Sequence, residues 1–309
     1  MQRWRGTDGT PSGWGRCVVT IGVFDGVHRG HQQIIGRAVA RAAELGVPSL
    51  VLTFDPHPSE VVRPGSHPPM LTSPSYKADL LEQLGVDVVC VLPFTEPFSR
   101  LDPDEFVHTA LVEHLHAKAV VVGENFRYGA RAAGDVTALT AAGRRFGFSV
   151  EGVPLLGSED DTTWSSTYVR SCVLAGDVEG AALALGREHR VEGVVVRGDQ
   201  RGREIGYPTA NLQPLPWSAV PADGVYAGRL VRGGEQLPAA VSIGTNPTFA
   251  GLERRIEAYV LDFTGDLYGE RVGLSFAARL RETLRFDGIE PLVQQMARDV
   301  ERTRELTAR

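Results

Sequence analysis

The sequence predicts an α/β chain in two parts: a parallel-sheet domain with helices on its faces, then a small antiparallel β-barrel domain with a C-terminal helix. Three observations carry this. Up to about residue 153, short apolar runs alternate with amphipathic stretches, which places parallel strands beneath helices. Beyond about residue 185, strand-like segments follow one another across tight turns, as antiparallel strands do. The length of 309 residues suits two domains at roughly 150 each, and we set them at 1–186 and 187–309.

The first strand is the apolar run 17–24. A helix over 30–45 follows, with Ile34, Ile35, Ala38, Ala42 and Leu45 on one face and Gly46 as its stop. Residues 49–54 form a strand, 55–69 a proline-punctuated loop, 72–84 a helix and 86–94 a strand. Asp102-Pro103-Asp104-Glu105 supplies an N-cap, a proline at the first helical position and an acid at the third. Phe106, Ala110, Leu111 and Leu115 are the inner face of that helix. A strand at 117–122, a helix at 136–146 and a strand at 148–153 complete this half. In the second half, strands are expected at 191–197, 224–231, 237–243, 255–262 and 271–280. Val272, Leu274, Phe276, Ala278 and Leu280 alternate, which gives the last strand one buried face. Gly233-Gly234 and Thr264-Gly265-Asp266 are turns, and Ile289, Leu292, Val293, Met296 and Val300 recur at helical spacing.

Composition narrows the function. Hydrophobic residues at 42% and charged residues at 23% describe a globular protein. Lys+Arg 32 against Asp+Glu 38 leaves a net charge of −6, which argues against a nucleic-acid or anionic-membrane partner. Cys17, Cys90 and Cys172 are odd in number and far apart, so neither a zinc site nor a disulfide framework is indicated. No apolar run reaches the roughly 18 residues of a membrane span, and residues 1–15 lack the apolar core of a secretory signal. A cytoplasmic location is expected; no pattern fixes an oligomeric state. The 35 glycines point to many turns and close backbone approaches, which phosphate-binding loops require.

Two constellations carry chemistry. Gly22-Val23-Phe24-Asp25-Gly26-Val27-His28-Arg29-Gly30-His31 joins the first strand to the first helix. Its glycines allow a tight turn, and a helix N-terminus suits phosphate. His28 and His31 can hydrogen-bond polyphosphate oxygens; a metal pair and an inert glycine-rich turn are the other readings. The second is Gly193 to Gly198 followed by Gly202-Arg203-Glu204-Ile205-Gly206-Tyr207-Pro208-Thr209-Ala210-Asn211. In an extended segment the Thr209 hydroxyl and the Asn211 amide oxygen project to one side, where they can hold a Mg²⁺–phosphate. By local pattern alone, a Gly/Pro turn with satisfied polar side chains is the favoured reading.

The first string resembles the nucleotidylyltransferase signature Gly-x-Phe-Asp-Gly-x-His-x-Gly-His, in the form found in the prokaryotic bifunctional riboflavin kinase/FAD synthetase family. The resemblance covers nearly the whole chain: 53–58 (Thr-Phe-Asp-Pro-His-Pro), 123–129, 165–170 and the Pro-Thr-Ala-Asn at 208–211 all match in order. Gly224-Val225-Tyr226, Asn246-Pro247-Thr248-Phe249 and Leu267-Tyr268-Gly269 match downstream. Val23 stands where the family commonly has Asn, and Trp164 where a small aliphatic precedes Ser165.

This resemblance implies a nucleotidylyltransferase-type (Rossmann-like) first domain. Its ATP phosphates would meet Gly22, Phe24, Asp25, Gly26, His28, His31, Ser165, Ser166, Thr167 and Arg170. Its flavin would meet Asn125, Phe126 and Arg127. In the kinase half it implies nucleotide and flavin contacts from Gly198, Gly202, Gly206, Pro208, Thr209, Asn211, Tyr226 and Asn246, with Mg²⁺ on Thr209 and Asn211. Glu257, by pattern an exposed strand acid, matches the family's catalytic glutamate; Arg279 and Arg281 are further candidates for phosphate contact. Substrates would be riboflavin, FMN and ATP, with FAD as product. The alternatives are a kinase with a weak or altered adenylyltransferase half, and a flavin-binding regulatory module.

Overall fold

The strand at Cys17–Ile21 is buried at all five positions, as a central strand covered on both faces must be. The structure is a computed structural model. It describes the chain except residues 7, 8, 12, 158–161, 199–201, 203, 204, 249, 250 and 309, and it leaves out the side chains of 246–248 and 251–253. Contacts divide the chain into two units, Met1–Pro68 with Pro74–Ser165, and Pro69–Ser73 with Ser166–Arg309.

The first unit runs β1 (Gln2–Arg5), β2 (Cys17–Ile21), α1 (Arg29–Leu45), β3 (Ser49–Asp55), α2 (Pro58–Val62), α3 (Pro74–Gln83) and β4 (Val88–Pro93). It continues with α4 (Glu96–Ser99), α5 (Pro103–Phe106), β5 (Ala117–Gly123), α6 (Val136–Phe146) and β6 (Ser149–Val153). The six strands are ordered β1-β4-β3-β2-β5-β6, and every pairing is parallel. One face packs Val19, Ile21, Leu50 and Leu52 against Phe106, Leu111 and Leu139. The other packs Val18 and Val51 against Ile35, Ala38, Ala42 and Leu81. The order turns back between β2 and β5, so a crevice opens beyond their carboxyl ends.

The helix expected from Asp102 begins as read, with both halves of its capping box made between Asp102 and Glu105. It then widens into a π-helical stretch, Val107–His114, while Phe106, Ala110, Leu111 and Leu115 stay buried. The sequence reading missed β1, where Trp4 alone is buried among exposed neighbours and no apolar run exists to be seen. It also missed α2, which lies inside the proline-rich loop.

The second unit holds α7 (Ser166–Ala175), α8 (Val178–Leu185), β7 (His189–Val196), β8 (Ala210–Pro214), β9 (Gly224–Arg232), β10 (Glu235–Thr248), β11 (Gly251–Val260), β12 (Arg271–Arg281) and α9 (Ile289–Thr307). The six strands close a barrel in the order β10-β11-β8-β7-β12-β9, antiparallel throughout. The alternation read along the last strand stops early. Val272, Leu274 and Phe276 are core, but register shifts between Phe276 and Ala278 and between Arg279 and Arg281 leave Ala278 and Leu280 half-buried. The C-terminal helix departs further from its apolar pattern. Ile289 is exposed, and the buried positions of α9 are Asp299, Thr303 and Thr307. Arg281 grips Asp299 through Nε and Nη2, at 3.0 and 2.7 Å to Oδ2. Thr303 and Thr307 donate to the carbonyls four residues earlier, which satisfies hydroxyls that would otherwise be stranded.

All three cysteines are free and buried. Burial pushes the Cys17 thiol from 9.0 up to about 12 and the Cys90 thiol up to about 11. Both therefore stay protonated at pH 8, with the thiolate fraction of Cys17 reduced by roughly three orders of magnitude. Native protein at pH 8 should react with a thiol-specific disulfide reagent far more slowly than urea-unfolded protein. Equal rates would show that these thiols are not shielded.

Candidate active sites

Beyond β2 the chain must turn from a buried strand into α1 within a few residues. Gly22 makes the first bend possible, because a Cβ there would sit 3.0 Å from the Phe24 ring. Phe24 and Val27 take φ of 51° and 40°, a strain of about 1–3 kcal/mol each, held because both side chains are buried in the core. Gly26 has φ 82° at no such cost. His28 is the N-cap of α1, and its Nδ1 accepts from the His31 N–H at 3.4 Å. The two imidazoles stack with centroids 3.6 Å apart, and His31 meets the Phe24 ring edge-on at 5.1 Å. Two ring donors thus gather at the positive end of a 17-residue helix. Among the described residues no group of three His, Cys, Asp or Glu side chains is placed to hold a metal ion. Asp25 is buried on the same loop. The Arg29 guanidinium lies over Trp164, 5.5 Å from the ring centre, which gives the unexpected tryptophan a partner.

Beside this loop lies a cleft of about 370 Å³ at the carboxyl ends of the strands. Gly22 and Val23 line it, with Phe54, Phe94, Phe98, Phe106, Phe126, Arg127 and Tyr128. Phe126 and Tyr128 stack with planes 13° apart, and Phe54 meets Phe94 edge-on at 5.5 Å. The wall suits a flat aromatic ligand. Of the three expected flavin residues, Phe126 and Arg127 line the cleft, while Asn125 is exposed with its amide oxygen against Gly123. Arg127 also faces Asp135 at 3.5 Å. Tyr128, inside the matched segment 123–129, also lines the cleft, whereas the sequence reading missed Phe94 and Phe98; their one visible signal was aromatic side chains at or just beyond a strand end. Lys77 was missed as well: its Nζ donates to the Val23 carbonyl at 3.0 Å and to Thr53 Oγ1 at 3.3 Å. Ser165 ends the first unit, whereas Ser166, Thr167 and Arg170 lie on α7 in the second, where Arg170 Nε donates to the Pro69 carbonyl at 2.8 Å.

In the barrel, β8 and β11 pair so that Asn211 stands opposite Glu257. The Thr209 hydroxyl donates to Glu257 Oε2 at 3.2 Å. Thr209 and Glu257 thus meet with Asn211 in register beside them, three oxygen-bearing residues of a kind that suits a hard cation such as Mg²⁺. Gly198 keeps this arrangement open, since a Cβ there would lie 2.4 Å from the Asn211 side chain. The Gly202 carbonyl accepts from Ile205 and Tyr207, Gly206 takes φ 87°, and the turn delivers Pro208 and Thr209. Arg203 and Glu204 lie outside the described residues, as does Phe249. A cleft of about 400 Å³ opens where β7 and β11 end and β8 begins, lined by Arg197, Pro208, Thr209, Phe263, Asp266 and Tyr268 among others.

Other expected residues are placed elsewhere. Tyr226 is fully buried, edge-on to Phe276 at 5.5 Å, with its hydroxyl donating to the Ala222 carbonyl at 2.7 Å; it belongs to the barrel core. The Asn246 backbone pairs in β10, and its side chain lies outside the description. Arg281 is engaged by Asp299, and Arg279 donates to the Asp223 carbonyl at 2.8 Å.

Two family models match the chain in succession: FAD synthetase over residues 10–168 and riboflavin kinase over 185–307. A bifunctional riboflavin kinase/FMN adenylyltransferase of Escherichia coli K12 is 37% identical over 294 residues, covering 95% of this chain and 92% of its own. The protein of that name from Pseudomonas fluorescens is 40% identical, covering 94% and 93%. A crystal structure of a Streptococcus pneumoniae protein described as a macrolide-efflux protein matches with a TM-score of 0.90 at 33% identity, over 98% of this chain and 99% of that one. Among the described residues here, no helix is long and apolar enough to cross a membrane.

Proposed function

Because the chain belongs to the bifunctional riboflavin kinase/FMN adenylyltransferase family, we propose residue roles for the two reactions it catalyses. The C-terminal barrel phosphorylates riboflavin with ATP, giving FMN and ADP. The N-terminal domain adenylylates FMN with ATP, giving FAD and pyrophosphate. As functional domains we take 1–186 and 187–309.

For the kinase, the carrying observation is the Thr209–Glu257 hydrogen bond with Asn211 in register beside it. The attacking riboflavin hydroxyl is neutral, so Glu257 acts as the base that accepts its proton as the γ-phosphoryl group transfers. Thr209 and Asn211 would hold Mg²⁺, which when bound neutralises triphosphate charge. Gly198, Gly202, Gly206 and Pro208 shape the loop that brings them there.

In adenylyl transfer the nucleophile is an FMN phosphate oxygen, already ionised at neutral pH. No base is needed; positioning and charge stabilisation suffice. His28 and His31 donate to the phosphates at the α1 N-terminus, and the aromatic cleft takes the flavin ring. For Ser165, Ser166, Thr167 and Arg170 the support is the sequence motif alone. Val23 lines the apolar cleft, so its replacement of the commoner Asn is compatible with flavin binding there. A cytoplasmic setting, with its reduced thiols and ATP, accords with three unbonded cysteines.

Excess EDTA should abolish both FMN and FAD formation, read by chromatography of the flavins; undiminished turnover of either would remove Mg²⁺ from that half. His28→Ala with His31→Ala should lower FAD formation by about 10²-fold or more while riboflavin phosphorylation persists. An equal fall of both activities in a folded variant would refute separate sites. Glu257→Gln should lower phosphorylation roughly 10²–10⁴-fold and spare adenylylation of supplied FMN. Asn211→Ala should also slow the kinase, but part of its defect should yield to rising Mg²⁺–ATP, whereas that of Glu257→Gln should not. Near-normal kinase turnover in Glu257→Gln would leave the base unassigned.

A further inference from the structure

We propose that Lys77 is a positioning residue for adenylyl transfer: through the Val23 carbonyl and the Thr53 hydroxyl, it sets the loop that presents His28 and His31. The proposal rests on the assignment of that loop to the adenylyltransferase reaction.

Lys77 lies early in α3. Its Nζ donates to the Val23 carbonyl at 3.0 Å and to Thr53 Oγ1 at 3.3 Å, and the buried Thr53 hydroxyl donates to the same carbonyl at 3.1 Å. One carbonyl oxygen is therefore gripped from two elements, α3 and β3. Its position in the chain explains why. The Gly22 N–H still bonds to the Leu52 carbonyl at 3.0 Å, as a strand residue does. One residue beyond Val23, Phe24 has already crossed to positive φ. Val23 is thus the hinge between ladder and loop, and its carbonyl needs a donor that the sheet no longer supplies.

Two carboxylates stand near this donor and oppose the effect of its burial. Burial pushes the Lys77 pKa down, while Asp25 on the loop and Asp55 at the end of β3 act against that shift. Asp25 is itself buried, two residues past the gripped carbonyl. Lys77 therefore fixes the loop by its hydrogen bond to the Val23 carbonyl, and a carboxylate that the loop carries favours its protonated form. Each residue of the Thr-Phe-Asp segment at 53–55 then has a physical role. Thr53 braces the carbonyl, Phe54 walls the cleft and Asp55 opposes the lowering of the Lys77 pKa by burial.

The test compares Lys77→Met, Lys77→Arg and Thr53→Val with wild type in the full-length chain. It measures kcat and KM for FAD formation from FMN and ATP, and riboflavin phosphorylation in the same preparations. Lys77→Met keeps the side-chain stem and removes the donors. It should lower kcat for FAD formation by roughly 10–100-fold, with KM for FMN within about threefold and phosphorylation unchanged. Lys77→Arg should recover part of the loss, and Thr53→Val should lower kcat in the same direction by a smaller factor. A Lys77→Met enzyme with wild-type kcat, or with only KM altered, overturns the proposal. If Lys77→Met fails to fold, Thr53→Val decides: lowered kcat at unchanged KM supports the brace, and wild-type kcat overturns it. A wild-type chain that makes FMN but no FAD would instead refute the assignment of the loop itself, and the proposal with it.

Discussion

Between Ile21 and Arg29 the backbone must leave a strand buried on both sides and enter a helix capped by His28. Positive φ at Phe24, Gly26 and Val27 makes so abrupt a turn possible. Two of those residues are not glycine, so the conformation stands only because the surroundings over-determine it. The Phe24 and Val27 side chains are sunk into the apolar layer between α1, α3 and the sheet, and the Val23 carbonyl is gripped by Lys77 and Thr53. The stacked His28 and His31 at the end of the loop, the first buried and the second half-buried, inherit their precision from the side chains packed beneath them. The aromatic cleft depends on the same turn, since Gly22 and Val23 form part of its wall.

The two reactions ask different things of a protein, and the two sites differ accordingly. A phosphate nucleophile is already an anion, so the first site needs donors, a helix end and a shaped cleft. In the barrel the antiparallel ladder sets the geometry: Asn211 and Glu257 are cross-strand partners, so their spacing is fixed by backbone pairing rather than by loop conformation. The glycine at 198 is required because the Asn211 amide occupies the space a side chain would need.

Sequence pattern made the elements legible wherever burial follows a period. The helix at 136–146 and the cap at Asp102 stand as read, because a helix face and a capping box are written in consecutive residues. The pattern failed where a partner elsewhere in the chain decides the outcome. β1 is a strand because β4 offers it an edge, and β8 is one because β7 and β11 flank it. Along α9 the apolar repeat pointed to one stripe, yet the most buried positions are Asp299, Thr303 and Thr307, made tolerable by Arg281 and by carbonyls one turn back.

Motif strings likewise gave the chemistry and the family resemblance, and placed His28, His31, Thr209, Asn211 and Glu257 among the candidates. They could not distinguish a site residue from a core residue carrying the same motif. Tyr226 sits in a matching segment and its side chain fills the barrel interior, while Phe94 and Phe98, which lie outside every matched segment, line the aromatic cleft. Lys77 was invisible for the same reason: an exposed-looking lysine on a helix acquires its role from a carbonyl 54 positions away. By itself, the sequence determined which local conformations and which reactive groups are present, because those depend on neighbours along the chain. Only the tertiary structure decided which groups meet, because hydrogen bonds, burial and charge act through space and depend on distances that folding alone creates.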